Sequence, residues 1–372
     1  MRCAICKGYR FLCGRSFCPI LKRIGAIGKF QVLDRVIFGS SPPSIFVGDK
    51  FSYITPPIEG DTSHLGDPLR WEDVTLEDVI RMKVKLVMGE CRFNRDDGFV
   101  MSVKPVDSEM VLKRRPKLKI HLNEVSPVFG PKAELERIRV VENPKVPRFI
   151  ERIVGDEMKA GEGIVRLYER GFGEYYIVRL LSAGLLGVEK RFVPTKRSIV
   201  AVEDVVGEHL KLEIINYSPI ERFEIYRSEF LGNEYTVLMI PLQYSFELLE
   251  VWLPKSLFGF SGVLRDYEFF KKRGYARETL GAYYSARLSV LEFLRERRRQ
   301  ARVVVFREVT EGYHTPVGSW QIRVGVRKAL KRRVGVFDDL GSALNLLRSL
   351  LRHPLEEYLK RSMILNVGSL KF

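Results

Sequence analysis

Four of the chain's five cysteines, Cys3, Cys6, Cys13 and Cys18, lie within its first 18 residues. Thiolates are the preferred structural donors for tetrahedral Zn²⁺, and a Cys-x-x-Cys turn such as Cys3–Cys6 offers two sulfurs to one metal. Gly8 and Gly14 follow the second and third cysteines, where a residue without a Cβ lets backbone amides bend towards the sulfurs. So short a segment buries no core of its own, and a metal staple explains its cysteine density. Two disulfides or free thiols are the alternatives, and a cytosolic setting disfavours the disulfides. The spacing therefore predicts a compact N-terminal zinc knob, a structural feature that assigns no function. Cys91 stands alone and reads as a core residue.

A second candidate chemistry rests on Asp107 and Glu109. Two apart on an expected strand, they share a face. Paired carboxylates hold Mg²⁺ or Mn²⁺ against substrate phosphates, or act as acid and base. Lys104 nearby suits a phosphate, and Glu203 or Asp204 would supply a third carboxylate. A solvent-facing strand edge is the plain alternative. Two cationic runs are candidate phosphate contacts: Lys113, Arg114, Arg115 and Lys117 in one, Lys190, Arg191, Lys196 and Arg197 in the other. Clustered cations displace counterions condensed on DNA, giving affinity that ignores sequence and falls with salt. Arg295, Arg297, Arg298 and Arg299 sit instead at an expected helix C-terminus, where cations offset the dipole. Trp320 reads as core, with base stacking as its alternative. Neither a Walker loop nor a dinucleotide fingerprint is present.

Lys and Arg exceed Asp and Glu by 62 to 46, giving a net charge of +16 and a pI near 9.6. Such a surplus points to a polyanion, with DNA first and RNA as the alternative. An ion-pair-rich thermophile proteome would also give a basic chain. There is no apolar run long enough to span a membrane. The cysteine cluster at the N-terminus leaves no room for a signal peptide, so a cytoplasmic protein is expected.

These side chains need a scaffold, and the patterning predicts an α+β fold. It would have mixed, largely antiparallel sheets with flanking helices and the zinc knob at the N-terminus. Helices are predicted over Val74–Met88, Tyr175–Leu186, Ser198–Leu210 with Ser198 as N-cap, Arg277–Arg299, and after Asp338 or Asp339 up to Pro354. Strands are predicted over 99–112, 223–230, 235–240, 244–253, 302–310 and 319–326, with a hairpin turn at 231–234. Residues 123–148 read as an ordered loop around a short helix. The proline pair at 42–43 makes a rigid extended entry to a strand. The domain reading is a cysteine segment over 1–24, a main domain over 25–255 and a C-terminal domain over 256–372.

Five blocks in order carry a family resemblance: the cysteine cluster ending in Cys18-Pro19-Ile20, Ser41–Gly48, Ser102–Glu109, Leu181–Glu189 and Val193–Ile199. Together they resemble the archaeal Nre proteins, a family associated with DNA repair. The resemblance covers nearly the whole chain and includes the family's two-part layout. It implies an archaeal protein of the DNA-damage response that engages the sliding clamp (PCNA) through a short C-terminal motif. In this chain that motif would be carried by Leu370 and Phe372. The tail lacks the usual Gln, and Gly368 or Ser369 stands where an aliphatic plug belongs. The resemblance supplies no catalytic residue set. The expectation is thus a zinc-containing DNA-binding repair factor, with a metal-dependent nuclease using Asp107 and Glu109 as the alternative.

Overall fold

The computed structural model describes residues 5–27, 34–40, 44–47, 52–55, 71–91, 107–118, 128–141, 146–259, 262–270 and 274–365. Its contacts divide the chain into two units, one of residues 20–122 and 126–206, the other chiefly of residues 207–372 with 1–19. The expected α+β class is what the chain adopts.

In the first unit, β1 (Val36–Ser40), β2 (Ser44–Val47), β3 (Ser52–Thr55), β4 (Met88–Cys91), β5 (Asp107–Leu112) and β6 (Lys132–Val140) form one sheet. Their order is β1-β5-β6-β4-β3-β2, antiparallel except for β4 with β6. Ile37, Val87, Met110, Leu112 and Ala133 make its core. Strand β5 alternates strictly, turning Ser108, Met110 and Leu112 inward and leaving Asp107 exposed. The helices are α1 (Pro19–Ile27), α2 (Leu76–Val84), α3 (Arg148–Gly155), α4 (Ala160–Glu169), α5 (Glu174–Ser182) and α6 (Thr195–Ile214), the last of which runs into the second unit. Thr75 starts α2 with a reciprocal capping box: its hydroxyl accepts from the Asp78 amide, and the Asp78 carboxylate accepts from the Thr75 amide.

The second unit holds β7 (Phe223–Phe230), β8 (Asn233–Ile240), β9 (Ser245–Trp252), β10 (Leu264–Glu268), β11 (Arg302–Val309) and β12 (Arg333–Phe337). The order is β10-β9-β11-β8-β7-β12, with β9 and β11 the parallel pair. The β7–β8 hairpin turns at Leu231 and Gly232, both at positive φ, as the twist of a two-residue hairpin demands. Helices α7 (Gly281–Arg297) and α8 (Trp320–Leu330) lie on one face, where Gly325 fits against the Tyr235 ring. On the other, α9 (Leu340–Leu350) and α10 (Leu355–Arg361) bring Leu347, Leu355 and Tyr358 onto Leu249, Val304 and Phe306. Asp339 caps α9, accepting from the Ser342 amide at 2.8 Å. No helix of the described residues is long and apolar enough to cross a membrane.

Three local expectations fail for physical reasons. Residues 319–326 are helical, not a strand. Because α8 is buried on nearly every side, its β-branched residues show no 3.6-residue stripe and mimic alternation. Residues 132–140 form β6 rather than a short helix in a loop; pairing with β5 and β4 overrides the helix propensity of Ala133, Glu134, Leu135 and Glu136. Ser198 lies inside α6, which begins at Thr195 directly after Pro194.

Candidate nucleic-acid interface

Strand β5 runs directly into the first cationic segment. Lys117 and Lys132 exchange backbone hydrogen bonds at 3.1 Å and Pro116 is buried, so the return is ordered. Lys113 pairs with Glu134, and Arg115 with Asp34 at 3.3 Å, all four side chains being exposed. Arg114 and Lys117 are exposed and take part in no side-chain hydrogen bond or ion pair among the described residues. Exposed ion pairs are worth at most about 1 kcal/mol, so Lys113 and Arg115 remain exchangeable towards a phosphate. Lys104 lies outside the described residues.

The carboxylate pair is less favourably placed. Asp107 is exposed, but Glu109 is partly buried and accepts from Arg137 Nη2 at 3.3 Å. Glu203 is buried in α6. Among the described residues, no three His, Cys, Asp or Glu side chains group closely enough to hold a metal. The third carboxylate expected from Glu203 or Asp204 therefore does not join the pair.

The structure brings a block near residue 47 onto two neighbouring blocks much later in the chain. The Val47 amide, ending β2, donates to Thr195 Oγ1 at 2.9 Å across 148 residues. Ser182 Oγ lies 3.4 Å from the same hydroxyl, and the Val193 amide donates to the Ser182 carbonyl at 3.2 Å. Gly184 has φ +70°, and a Cβ there would fall 2.9 Å from the Lys190 and Arg191 backbone, which accounts for the glycine in this block.

That arrangement divides the second cationic run. Lys190 Nζ donates to the Val154 carbonyl at 2.6 Å, near the C-terminus of α3, and so serves the fold. Arg191 pairs with Glu189 at 3.0 Å. Lys196 and Arg197 stand exposed in the first turn of α6, a turn without acidic residues. The convergence at Thr195 was not foreseen from sequence; its signal was the cluster of small and hydroxyl residues in blocks 41–48, 181–189 and 193–199.

At the N-terminus, Lys7, Gly8, Phe11 and Gly14 all adopt positive φ, winding residues 6–14 tightly. The Leu12 amide holds the Cys6 thiol below its ordinary value; burial opposes this, and the amides of Gly8, Arg10 and Phe11 add to the lowering. An environment of this kind suits a thiolate. Cys13 is exposed and Cys18 partly buried, while Cys3 lies outside the described residues. The described cysteines make no three-ligand group, so the knob part of the expected architecture does not appear among these residues.

Trp320 is core: its Nε1 donates to the Val317 carbonyl at 2.6 Å, and its ring meets Phe230 edge-on. Arg295 and Arg297 are structural too, paired with Glu213 and Glu224 respectively. Leu370 and Phe372 lie outside the described residues.

Residues 12–259 match the family model for archaeal Nre, N-terminal, and residues 268–370 match the one for archaeal Nre, C-terminal. The two models part just beyond residue 255, whereas the contacts divide the chain at Gly207. The chain is 38% identical over 367 residues to the DNA repair protein NreA of Archaeoglobus fulgidus, covering 92% of each. It is 32% identical over 389 residues to DNA repair protein NreB of the same organism, covering 99% of this chain and 98% of that one. The DNA repair protein NreA of Haloferax volcanii is 34% identical over 347 residues, covering 83% of this chain and 81% of its own length. No solved structure matches the chain. Both family models and relatives matched along most of their length lead to one conclusion: the chain belongs to the archaeal Nre family.

Proposed function

We propose that the chain is a DNA-repair protein that binds DNA through its exposed cations and works with the replication sliding clamp. The observation that carries this reading is the match, over nine tenths of the chain, to relatives named DNA repair proteins. Arg114, Lys117, Lys196 and Arg197 support it as exposed cations on ordered backbone. Neutralising Lys113, Arg114, Arg115 and Lys117 together should weaken binding to duplexes of unrelated sequence and flatten the salt dependence. Unchanged affinity and slope would remove this segment from the interface. The nuclease alternative gains no geometric support, since Glu109 is engaged by Arg137 and no third carboxylate joins the pair among the described residues.

Clamp association is proposed for the tail that ends in Leu370 and Phe372. Short clamp-binding peptides dock an aliphatic plug and aromatics into an apolar pocket, and here only two anchors remain. Deleting residues 370–372 should abolish clamp capture and leave DNA affinity intact; full capture by the truncated chain would place the contact elsewhere.

One Zn²⁺ is likewise proposed for Cys3, Cys6, Cys13 and Cys18, as a structural staple. Its support is the four-cysteine spacing, with a Cys-x-x-Cys pair at Cys3–Cys6. Cys6→Ser should release about one metal per chain while the remainder stays folded. Natively purified protein with no metal and four freely reactive thiols would end this reading.

A further inference from the structure

The stretch between Cys6 and Cys13 is exposed almost throughout, and the residues just after it are anchored. Arg15, 7% exposed, donates from Nη2 to the carbonyls of Ser256 and Leu257 at 3.0 and 3.1 Å. Ser16 Oγ donates to Glu311 at 3.1 Å, and Phe17 meets His314 edge-on at 5.7 Å. These contacts all lie within the second unit.

The residues that flank this anchor in sequence are exposed, aromatic and cationic. Tyr9 is 60% exposed, Phe11 43%, and Phe258, in the loop that Arg15 grips, 59%. Lys7, Arg10 and Lys255 are exposed beside them in sequence, and the Arg10 guanidinium sits over the Tyr9 ring at 5.6 Å. Lys7, Phe11 and Lys255 all hold positive φ, a costly conformation for residues with a Cβ that gathers at ligand-binding sites. Lys7, Arg10 and Lys255 enter no ion pair among the described residues, and Glu311, at the anchor, accepts from Ser16. Exposed rings interleaved with uncompensated cations match a strand of unpaired nucleotides, whose bases offer open π-faces and whose backbone offers regular negative charge. A base inside a duplex has both faces covered by its neighbours, so ring stacking selects unpaired DNA.

We propose that Tyr9, Phe11 and Phe258, with Lys7, Arg10 and Lys255, form a platform for unpaired nucleotides, the rings stacking on bases and the cations contacting phosphates. The proposal rests on the DNA-binding reading above and adds to it the form of DNA recognised.

The test uses the full chain and fluorescence anisotropy with two probes, a labelled oligothymidylate, which does not self-pair, and a mixed-sequence duplex. Tyr9→Ala should weaken single-strand binding about tenfold, the Tyr9→Ala/Phe11→Ala pair further, and the duplex by less than about twofold. Tyr9→Trp should retain the affinity, because it keeps a stacking face. Phe258→Ala, which lies outside the cysteine-bearing stretch of sequence, should reproduce the single-strand loss without altering residues 3–18. Equal losses on both probes, or no loss on the single strand while the wild type binds both, would overturn the platform and leave DNA binding standing. Wild-type protein that binds neither probe would overturn both. Loss of binding to anionic phospholipid vesicles in these variants, with single-strand affinity unchanged, would assign the surface to a membrane and overturn the proposal.

Discussion

Arg307 in the second unit donates to Glu250 at 2.5 Å and to the side-chain Oδ1 of Asn233 at 2.7 Å, with 4% of its side chain exposed. Arg287 is held likewise, at 2.7 Å from Glu268 and 2.5 Å from Glu208. In the first unit, Arg114 and Arg197 project into solvent with no ion pair among the described residues. The same residue type therefore does two jobs. Where helices cover both faces of a sheet, Arg287 and Arg307 are matched by buried carboxylates. At a strand end or a helix start it stays hydrated and available to a polyanion. A surplus of +16 says how many cations lack a counterpart in the chain; burial says which of them a partner meets.

The comparison breaks first at Arg307. Arg307→Met would leave Glu250 buried without its cation, so a loss of about 3–5 kcal/mol is expected in denaturant midpoint at constant slope. Arg114→Met should stay within about 0.5 kcal/mol in the same assay. Similar costs for the two substitutions would erase the distinction. Next in size is Gly184→Ala, which forces a Cβ against the Lys190 and Arg191 backbone at positive φ; about 1–3 kcal/mol should be lost, along with the geometry around Thr195.

Thr75→Ala should cost about 1 kcal/mol by removing the cap of α2. The same cap is sensitive to acid. The Thr75 hydroxyl, and then its amide, hold the Asp78 carboxyl below its ordinary value. A carboxyl lowered on folding contributes stability above its unfolded pKa and loses it as pH falls through the folded one. Asp78→Asn should therefore flatten the acid limb of the melting-temperature profile; an unaltered limb would remove the cap from the acid response. The smallest effects on stability belong to the exposed cations. Arg114→Gln and Arg197→Gln should leave the melting temperature unchanged while each reduces the magnitude of the salt slope of DNA binding by about one. Slopes that do not move would show that these two residues meet no phosphate.

Legibility followed the kind of signal each segment carried. Strands β7, β8, β9 and β11 were readable because segments rich in β-branched and aromatic residues, bounded by turn residues, mark strands. A cap at Asp338 or Asp339 was readable because Asp before a leucine-rich period has one common use, and the structure selects Asp339. By contrast, α8 lies between a sheet and α7, so burial on all sides erased its period. The cationic runs were visible as charge, but Lys190, facing the end of α3, cannot be told from Arg197 by composition. Nor did the glycine and hydroxyl residues of three separate blocks announce their meeting at Thr195.

The sequence by itself determined the class of fold, the supply of cations and the family. Period, propensity and ordered motif blocks are local properties that survive in one dimension. Tertiary structure alone decided which cations stay outside, that Glu109 is engaged by Arg137, and that Arg15 anchors a surface of exposed rings. Those outcomes depend on hydrogen bonds and desolvation between residues distant in the chain, and no local pattern encodes such a pairing.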